Sequence, residues 1–359
     1  MIHPGAWLAW LVAAIVALSV TRNPAYLFFI LGAIAITVAV LRPHSKAPPL
    51  PMSLWRFGLI IVVFSALFNA FTSHFGATVL FSLPESWPLI GGEITLEGLV
   101  FGVLNGLVLA GFLAAFTVLN LALPVHSLVR MIPRAFYPVA VVISIAVAFV
   151  PNTLAQFQAV REAQTMRGHR VRGLRDWLPL FMPVLIGGLE RAMQLSEAMT
   201  ARGFGGTGLD SRSDQNRRGL LPVRLSLLTG LFCVLAGLAL RLFGVSMSGT
   251  LLLLAGSALL ILALWMQGRG VRRTVYRPAR WVLHDWFVLV GAALVAVVYL
   301  FPLPGLDRSS LHYSPYPLLS WPDLNSWIVL ATAGLLVPAS ILARASFRRD
   351  PLRPDGASA

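Results

Sequence analysis

Apolar residues along this chain come in long runs separated by short polar intervals. Eight runs, at 5–20, 24–41, 54–71, 96–121, 222–243, 250–267, 283–301 and 326–343, reach or approach the roughly 20 residues that an α-helix needs to cross a bilayer. A ninth, 139–150, lies between Pro138 and Pro151 and, at about a dozen residues, falls short of that length. Beyond it the pattern becomes amphipathic: Leu154, Phe157, Val160, Ala163 and Met166 form one apolar strip, and Leu185, Leu189, Ala192, Met193 and Met199 form another. These strips predict two helices that open after Pro151 and Pro183 and pack on each other and on the membrane. The expected fold is all-α: a polytopic integral membrane protein with about eight transmembrane helices plus a cytoplasmic or inner-leaflet module of two long helices. The expected divisions are 1–121 for the N-terminal spans, 122–220 for the two-helix module, 221–243 for one further span, and 244–359 for additional spans and a basic tail.

Charge gives the runs a direction. The interval 42–56 carries three basic residues and no acid, 152–218 carries ten arginines, 268–280 carries five, and the tail carries Arg344, Arg348, Arg349 and Arg353. Basic loops are retained on the cytoplasmic side, whereas 72–93, with two acids and neither Lys nor Arg, belongs outside. Both termini are then cytoplasmic, and among the basic residues only Arg22, Arg241 and Arg308 fall outside. Segment 139–150 is flanked by basic stretches on both sides, so it is expected to dip into the inner half of the bilayer or to pack within the two-helix module. The composition, 57% hydrophobic and 12% charged with a net charge of +14, leaves no room for a large soluble domain. In a membrane chain such a balance reports loops beside anionic lipid and carries no implication of nucleic acid. The single cysteine, Cys233, excludes an intramolecular disulfide and cysteine-based metal clusters. With no basic stretch ahead of the first apolar run, that helix is expected to stay in place and not to be cleaved as a signal peptide.

One phrase occurs twice. Glu162-Ala163-Gln164-Thr165-Met166-Arg167-Gly168 returns thirty-five residues later as Glu197-Ala198-Met199-Thr200-Ala201-Arg202-Gly203, with Glu, Ala, Thr, Arg and Gly in common. A glycine after the last turn and an arginine beside it are what an ordinary helix C-terminus uses. Capping requires neither the shared Glu-Ala nor the shared Thr, so the repetition points to a function carried by the pair of helix ends.

In these residues the chain resembles the T component of energy-coupling factor transporters, of the EcfT and CbiQ type. This is the membrane subunit that joins two cytoplasmic ATPases to a substrate-capture protein through Ala-Arg-Gly motifs on two coupling helices. Ala201-Arg202-Gly203 matches the motif; in the first copy Met166 stands where the alanine would be. The resemblance covers about residues 100–240, including Pro179, Pro183 and the Arg-Gly-Phe ending at Phe204. It implies that Arg167, Gly168, Ala201, Arg202 and Gly203, supported by Glu162, Ala163, Glu197 and Ala198, contact two P-loop ATPase subunits. It also implies a membrane capture subunit and uptake of a vitamin or a transition-metal ion such as cobalt. Members usually end with one span after the second motif, whereas this chain has four.

The remaining chemistry fits a subunit without catalysis of its own. Lys46 has no glycine-rich loop around it, so there is no P-loop, and ATP and Mg²⁺ are expected on partner subunits, with no cofactor or metal in this chain. No His-Glu-x-x-His occurs, the seven histidines fall in loops or at span ends, and no carboxylate lies in mid-span, which argues against ion-coupled transport. Asn69, Asn105 and Asn120 are expected to bond between helices, His284-Asp285 to form an interfacial polar pair, and His169 to belong to a solvated basic turn. The alternative reading is a self-contained channel, exporter or membrane enzyme without ATPase partners. The last spans are expected to be peripheral to the two-helix module.

Overall fold

The computed structural model describes residues 2–44, 53–73, 76–83, 92–169, 173–204, 213–242, 246–269, 281–301, 307–316 and 321–347. Several expectations lie outside these residues: most of the basic interval 42–56, the stretch 205–212 of the two-helix module, the arginines of 270–280, and the tail beyond Phe347. The described chain is helical apart from one short hairpin. In order it forms α1 (Pro4–Val20), α2 (Pro24–Leu41), α3 (Leu54–Thr72), the strands β1 (Val79–Leu83) and β2 (Gly92–Thr95), and α4 (Leu96–Ala122). There follow α5 (Val125–Arg130), α6 (Tyr137–Met166), α7 (Leu178–Ala201), α8 (Ser213–Leu242), α9 (Ser246–Arg269), α10 (Leu283–Leu300), α11 (Ser326–Thr332) and α12 (Val337–Phe347). Among the described residues seven helices are long and apolar enough to cross a membrane, and Pro4–Val20 and Leu225–Arg241 are shorter apolar helices. The chain is a multi-pass membrane protein.

It folds as two compact units, Met1–Leu128 with Arg277–Ala359, and Val129–Tyr276. In the first unit α1 and α10 run side by side in the same direction. At one end Asp285, which is buried, accepts from the main-chain N–H of His3 at 2.8 Å and of Val282 at 2.9 Å. His3 caps α1 and stacks on Trp281, and His284 lies 3.5 Å from the Asp285 carboxylate. At the other end Thr21 donates to Leu311 O (3.1 Å), and the Asn23 amide, which starts α2, donates to Ser310 O (2.8 Å) and Asp323 O (2.9 Å). Tyr26 donates to Ser310 Oγ and accepts from the Asn325 N–H that opens α11. Between these ends Trp10, Leu18, Ile30, Ile34, Val288 and Tyr299 form a core closed to solvent. The Trp10 indole donates to Leu335 O at 2.9 Å, inside the 3₁₀ turn that separates α11 from α12.

These contacts sort the first unit's connections as the charge pattern does. Residues 20–24, strands β1 and β2, 307–316 and 321–325 gather at one end, and His3 and Asp285 lie at the other. Glu97, also closed to solvent, fastens the hairpin by accepting from Thr78 N (3.1 Å) and Thr78 Oγ1 (2.7 Å). Two of the three arginines expected on the outer side have a local explanation. Arg22 donates to Leu18 O and Thr21 O at the end of α1, and Arg308 donates to Tyr299 O and Leu300 O at the end of α10. Each neutralises the carbonyl end of a helix. The third, Arg241, lies in the last turn of α8.

Several expectations are corrected. Segment 139–150 is the first half of the 30-residue helix α6, which continues through Pro151. At about 45 Å, that helix is not excluded from crossing by length. Likewise α7 begins before Pro183, and α8 begins at Ser213, before the expected span start at Pro222, so the polar residues 213–218 are helical. A proline inside a helix forfeits one N–H···O bond, a loss that membrane helices tolerate where neighbouring groups or local adjustments re-satisfy the backbone. The Asn69 and Asn120 amides donate to carbonyls four residues back in their own helices; Ser65 makes the cross-helix bond, to Gly102 O at 2.8 Å.

The C-terminal helices do not form one peripheral block. α9 packs on α8 within the second unit, with Gly237 and Gly256 allowing backbone contact that a Cβ would block, and α10–α12 complete the core of the first unit. A chain ending at Arg269 would leave the donors of Trp10, Thr21 and Asn23 without acceptors, each at a cost of about 1–3 kcal/mol. It is expected to be degraded or to melt well below the full chain in detergent. Equal melting temperatures would mean that α10–α12 are dispensable for the first unit.

Candidate functional site

The repeated phrase ends two helices of the second unit in the same way. α6 closes with Arg167 as C-cap (φ −82°, ψ 8°) and α7 with Arg202 (φ −87°, ψ 7°). Gly168 and Gly203 then turn to φ 80° and 79°, a conformation that an L side chain resists. The Gly168 N–H donates to Thr165 O (2.9 Å) and the His169 N–H to Gln164 O (3.0 Å); Gly203 donates to Thr200 O and Phe204 to Met199 O, both at 2.9 Å. Each end is thus a complete Schellman motif. The shared threonines also act alike, since Thr165 Oγ1 donates to Arg161 O and Thr200 Oγ1 to Ser196 O.

This geometry decides what the two arginines are not used for. At the ends of α1 and α10, guanidinium groups cap the helix carbonyls. At the ends of α6 and α7, main-chain N–H groups already hold the carbonyls of residues 164, 165, 199 and 200. Arg167 and Arg202 are exposed, and neither guanidinium has a hydrogen bond or ion pair among the described residues. Glu162, Ala163, Gly168, Glu197, Ala198, Ala201 and Gly203 are exposed as well. Met166, the residue that departs from the alanine of the second copy, is 90% exposed. All nine sequence-predicted site residues therefore lie exposed on two helix ends of one backbone geometry.

The helices carrying these ends meet differently from the expected strip-to-strip packing. Leu154, Leu185, Leu189 and Met193 are exposed; of the first strip, Phe157 makes the contact, against Trp177 and Phe181. Beside it Gln156 accepts from Arg191 Nη2, while Arg191 Nε donates to Gly187 O at 3.0 Å. Gln156 was not singled out by periodicity, because a lone glutamine amid an amphipathic pattern reads as a solvated position. Its signal is arithmetical: it precedes Arg191 by the same thirty-five residues that separate the two phrases. His169 is not part of a freely solvated turn, since its ring Nε2 donates to Asp176 O at 2.8 Å. Asp176 in turn accepts from Gly173 N at 2.9 Å.

Comparison with known proteins adds the family. The family model described as cobalt transport protein, CbiQ, matches residues 1–213, more than half of the chain. The chain belongs to the CbiQ family. The match reaches the N-terminal helices, beyond the stretch in which the sequence resemblance was read, and α9–α12 lie outside it. Three similar proteins are each named energy-coupling factor transporter transmembrane protein EcfT. That of Ruminiclostridium cellulolyticum is 28% identical over 175 residues, 44% of this chain and 62% of the relative. That of Leuconostoc gelidum subsp. gasicomitatum is 25% identical over 189 residues, 47% of this chain and 68% of the relative. That of Bacillus selenitireducens is 26% identical over 203 residues, 50% of this chain and 73% of the relative. The chain thus spans less than two thirds of the first of these.

The backbone at the two ends is testable alone. Gly168→Val and Gly203→Val each place a β-branched residue at φ near 80° and are expected to fray the last turn. The cost is about 1–2 kcal/mol per site. Hydrogen exchange at residues 161–166 or 196–201 should accelerate roughly in proportion, by about five- to thirty-fold. Unchanged protection would mean that the glycine conformation does not hold these ends together.

Proposed function

We propose that this chain is the transmembrane coupling subunit of an energy-coupling-factor importer. It links ATP hydrolysis on two separate cytoplasmic P-loop ATPase subunits to uptake of a micronutrient held by a separate membrane capture subunit. Nucleotide and Mg²⁺ reside on the ATPases, and this chain performs no chemistry. Membership of the CbiQ family and similarity to proteins named EcfT support the class, and the micronutrient is a vitamin or a transition-metal ion such as cobalt. The observation that carries the reading is the pair of helix ends on which the main chain holds the carbonyls and two guanidinium groups have no partner among the described residues.

An arginine free of capping duty offers a planar fork of donors that stays charged on partial burial and pairs bidentately with carboxylates. Arg167 and Arg202 each enter an acidic groove on one ATPase subunit, and Gly168 and Gly203 let the partner surface approach without a side chain in the way. Closure of the ATPases on nucleotide then moves both helix ends, and α6 and α7 carry the movement to the membrane-embedded parts. In this reading the coupling module at 122–220 and both termini are cytoplasmic, in the cell membrane, as the basic loops require.

Removing one partner of a buried charged hydrogen bond across an interface costs about 2–5 kcal/mol, or roughly thirty- to several-thousand-fold in affinity. Single Arg167→Ala and Arg202→Ala variants are expected to lose co-expressed ATPases on purification by such factors. The double variant Arg167→Glu/Arg202→Glu should lose them completely while inserting normally. Arg56→Glu, an exposed arginine in the first turn of α3, is the comparison and should retain them. Full ATPase recovery by the double Glu variant would refute the docking role.

A further inference from the structure

The contact between α6 and α7 holds a second feature of the repeat. Gln156 stands six residues before Glu162, and Arg191 stands six residues before Glu197. The two side chains that bond across the helices therefore occupy the same position in the two copies. From that contact Arg167 and Arg202 are each eleven residues away, about 16 Å along a helix. Two arms of equal reach diverge from one point.

Every hydrogen bond and ring contact between α6 and α7 comes from Gln156 and Phe157, two consecutive residues. Beyond them no hydrogen bond or ring contact joins the two arms, and Leu189 (66%) and Met193 (63%) on α7 and Met166 (90%) on α6 are exposed. The contact is specific in shape as well as in bonding. Arg191 holds its own helix at Gly187 O and the other helix at Gln156 Oε1 with one guanidinium, and Gln156 Nε2 reaches Pro183 O at 3.5 Å. A Cβ at position 187 would overlap Gln156 Nε2, so glycine is what admits the amide at this place.

We propose that the Gln156–Arg191 contact, seated on Gly187, is the fulcrum that fixes the spacing of the two arginine-bearing ends. Arg191 and Gln156 are positioning residues: they touch no partner, and act by setting where Arg167 and Arg202 are presented together. Without the fulcrum each end keeps its own Schellman geometry and its own arginine, but the distance between them is no longer defined, and a push on one arm is not matched at the other. The functional consequence rests on the reading of these ends as ATPase contacts; the spacing itself does not.

The test measures the spacing on the full chain alone. In a Cys233→Ala background, Met166→Cys and Ala201→Cys, equivalent positions of the two copies, carry nitroxide labels, and the protein is placed in lipid nanodiscs. Double electron–electron resonance should give one narrow distance distribution. Arg191→Ala or Gln156→Ala should broaden it by roughly twofold, as expected when one charge-assisted contact ties two elements, and the double Ala variant should be no broader than the broader single one. Arg191→Lys, which keeps a charged donor on a long stem, should restore most of the narrow distribution, with melting temperatures of all variants unchanged. In complexes with co-expressed ATPases, without labels, Arg191→Ala should still recover them. A distribution in Arg191→Ala like that of the parent, failure of Lys to rescue, or broadening that only accompanies a fall in melting temperature would overturn the fulcrum. Loss of ATPases from Arg191→Ala to the extent seen with Arg167→Glu/Arg202→Glu would overturn its separation from docking. Failure of the docking role itself leaves the spacing measurement on the isolated chain unaffected.

Discussion

A helix must dispose of the carbonyl groups of its last turn, and how it does so determines what an arginine at that place is free to do. This chain uses both available solutions. α1 and α10 end without a left-handed glycine, and Arg22 and Arg308 supply the missing donors. α6 and α7 end in glycine at φ near 80°, and the main chain folds back to supply two donors at each end. The guanidinium groups of Arg167 and Arg202 are thereby released from local duty. Removing the glycine would return the carbonyls to the arginine and take the free charge with it. The Arg-Gly pairing is in this sense one device, and its recurrence on two helices gives the second unit two equivalent charged ends.

Around that device the chain is arranged unlike a linear string of spans. The second unit, Val129–Tyr276, is inserted between the two parts of the first, so that α1–α5 and α10–α12 share a core although α6–α9 separate them in sequence. The bonds that join them are buried and polar, from Asp285 with His3 at one end to Asn23 with Ser310 at the other. Satisfied polar groups of this kind rigidify a core and specify one arrangement of it. The C-terminal helices, which the family match does not reach, are therefore part of the body from which the second unit emerges and to which it returns.

Much of this was legible in the sequence, and the parts that were not share physical causes. Hydropathy found six of the seven described helices that are long enough to cross, because a bilayer imposes a length, and missed α6, whose length was hidden by Pro151. The two arginine-ended helices were found because glycine after arginine marks a helix end. Proline misled three times: Pro4, Pro24 and Pro179 stand in first turns, as read or compatible with the reading, but Pro151, Pro183 and Pro222 lie inside helices. Nothing local distinguishes the two cases, because tolerance of a missing N–H depends on what surrounds the helix. The assignment of Asn69 and Asn120 to cross-helix bonds failed because each amide had a carbonyl within reach one turn back in its own helix. Gln156 and Arg191 were invisible as a pair until the repeat spacing was applied to positions outside the repeated phrase. The association of α10 with α1 could not be read at all, since it is a contact across most of the chain.

Whether the two arginines are partner contacts or helix caps would be seen in a structure of the chain assembled with the proposed P-loop ATPase subunits. The account predicts Arg167 and Arg202 on two different ATPase subunits, each guanidinium about 2.7–2.9 Å from carboxylate oxygens, with both Schellman ends intact. Guanidinium groups turned back onto the carbonyls of α6 and α7, or left in solvent while the ATPases bind elsewhere, would contradict it.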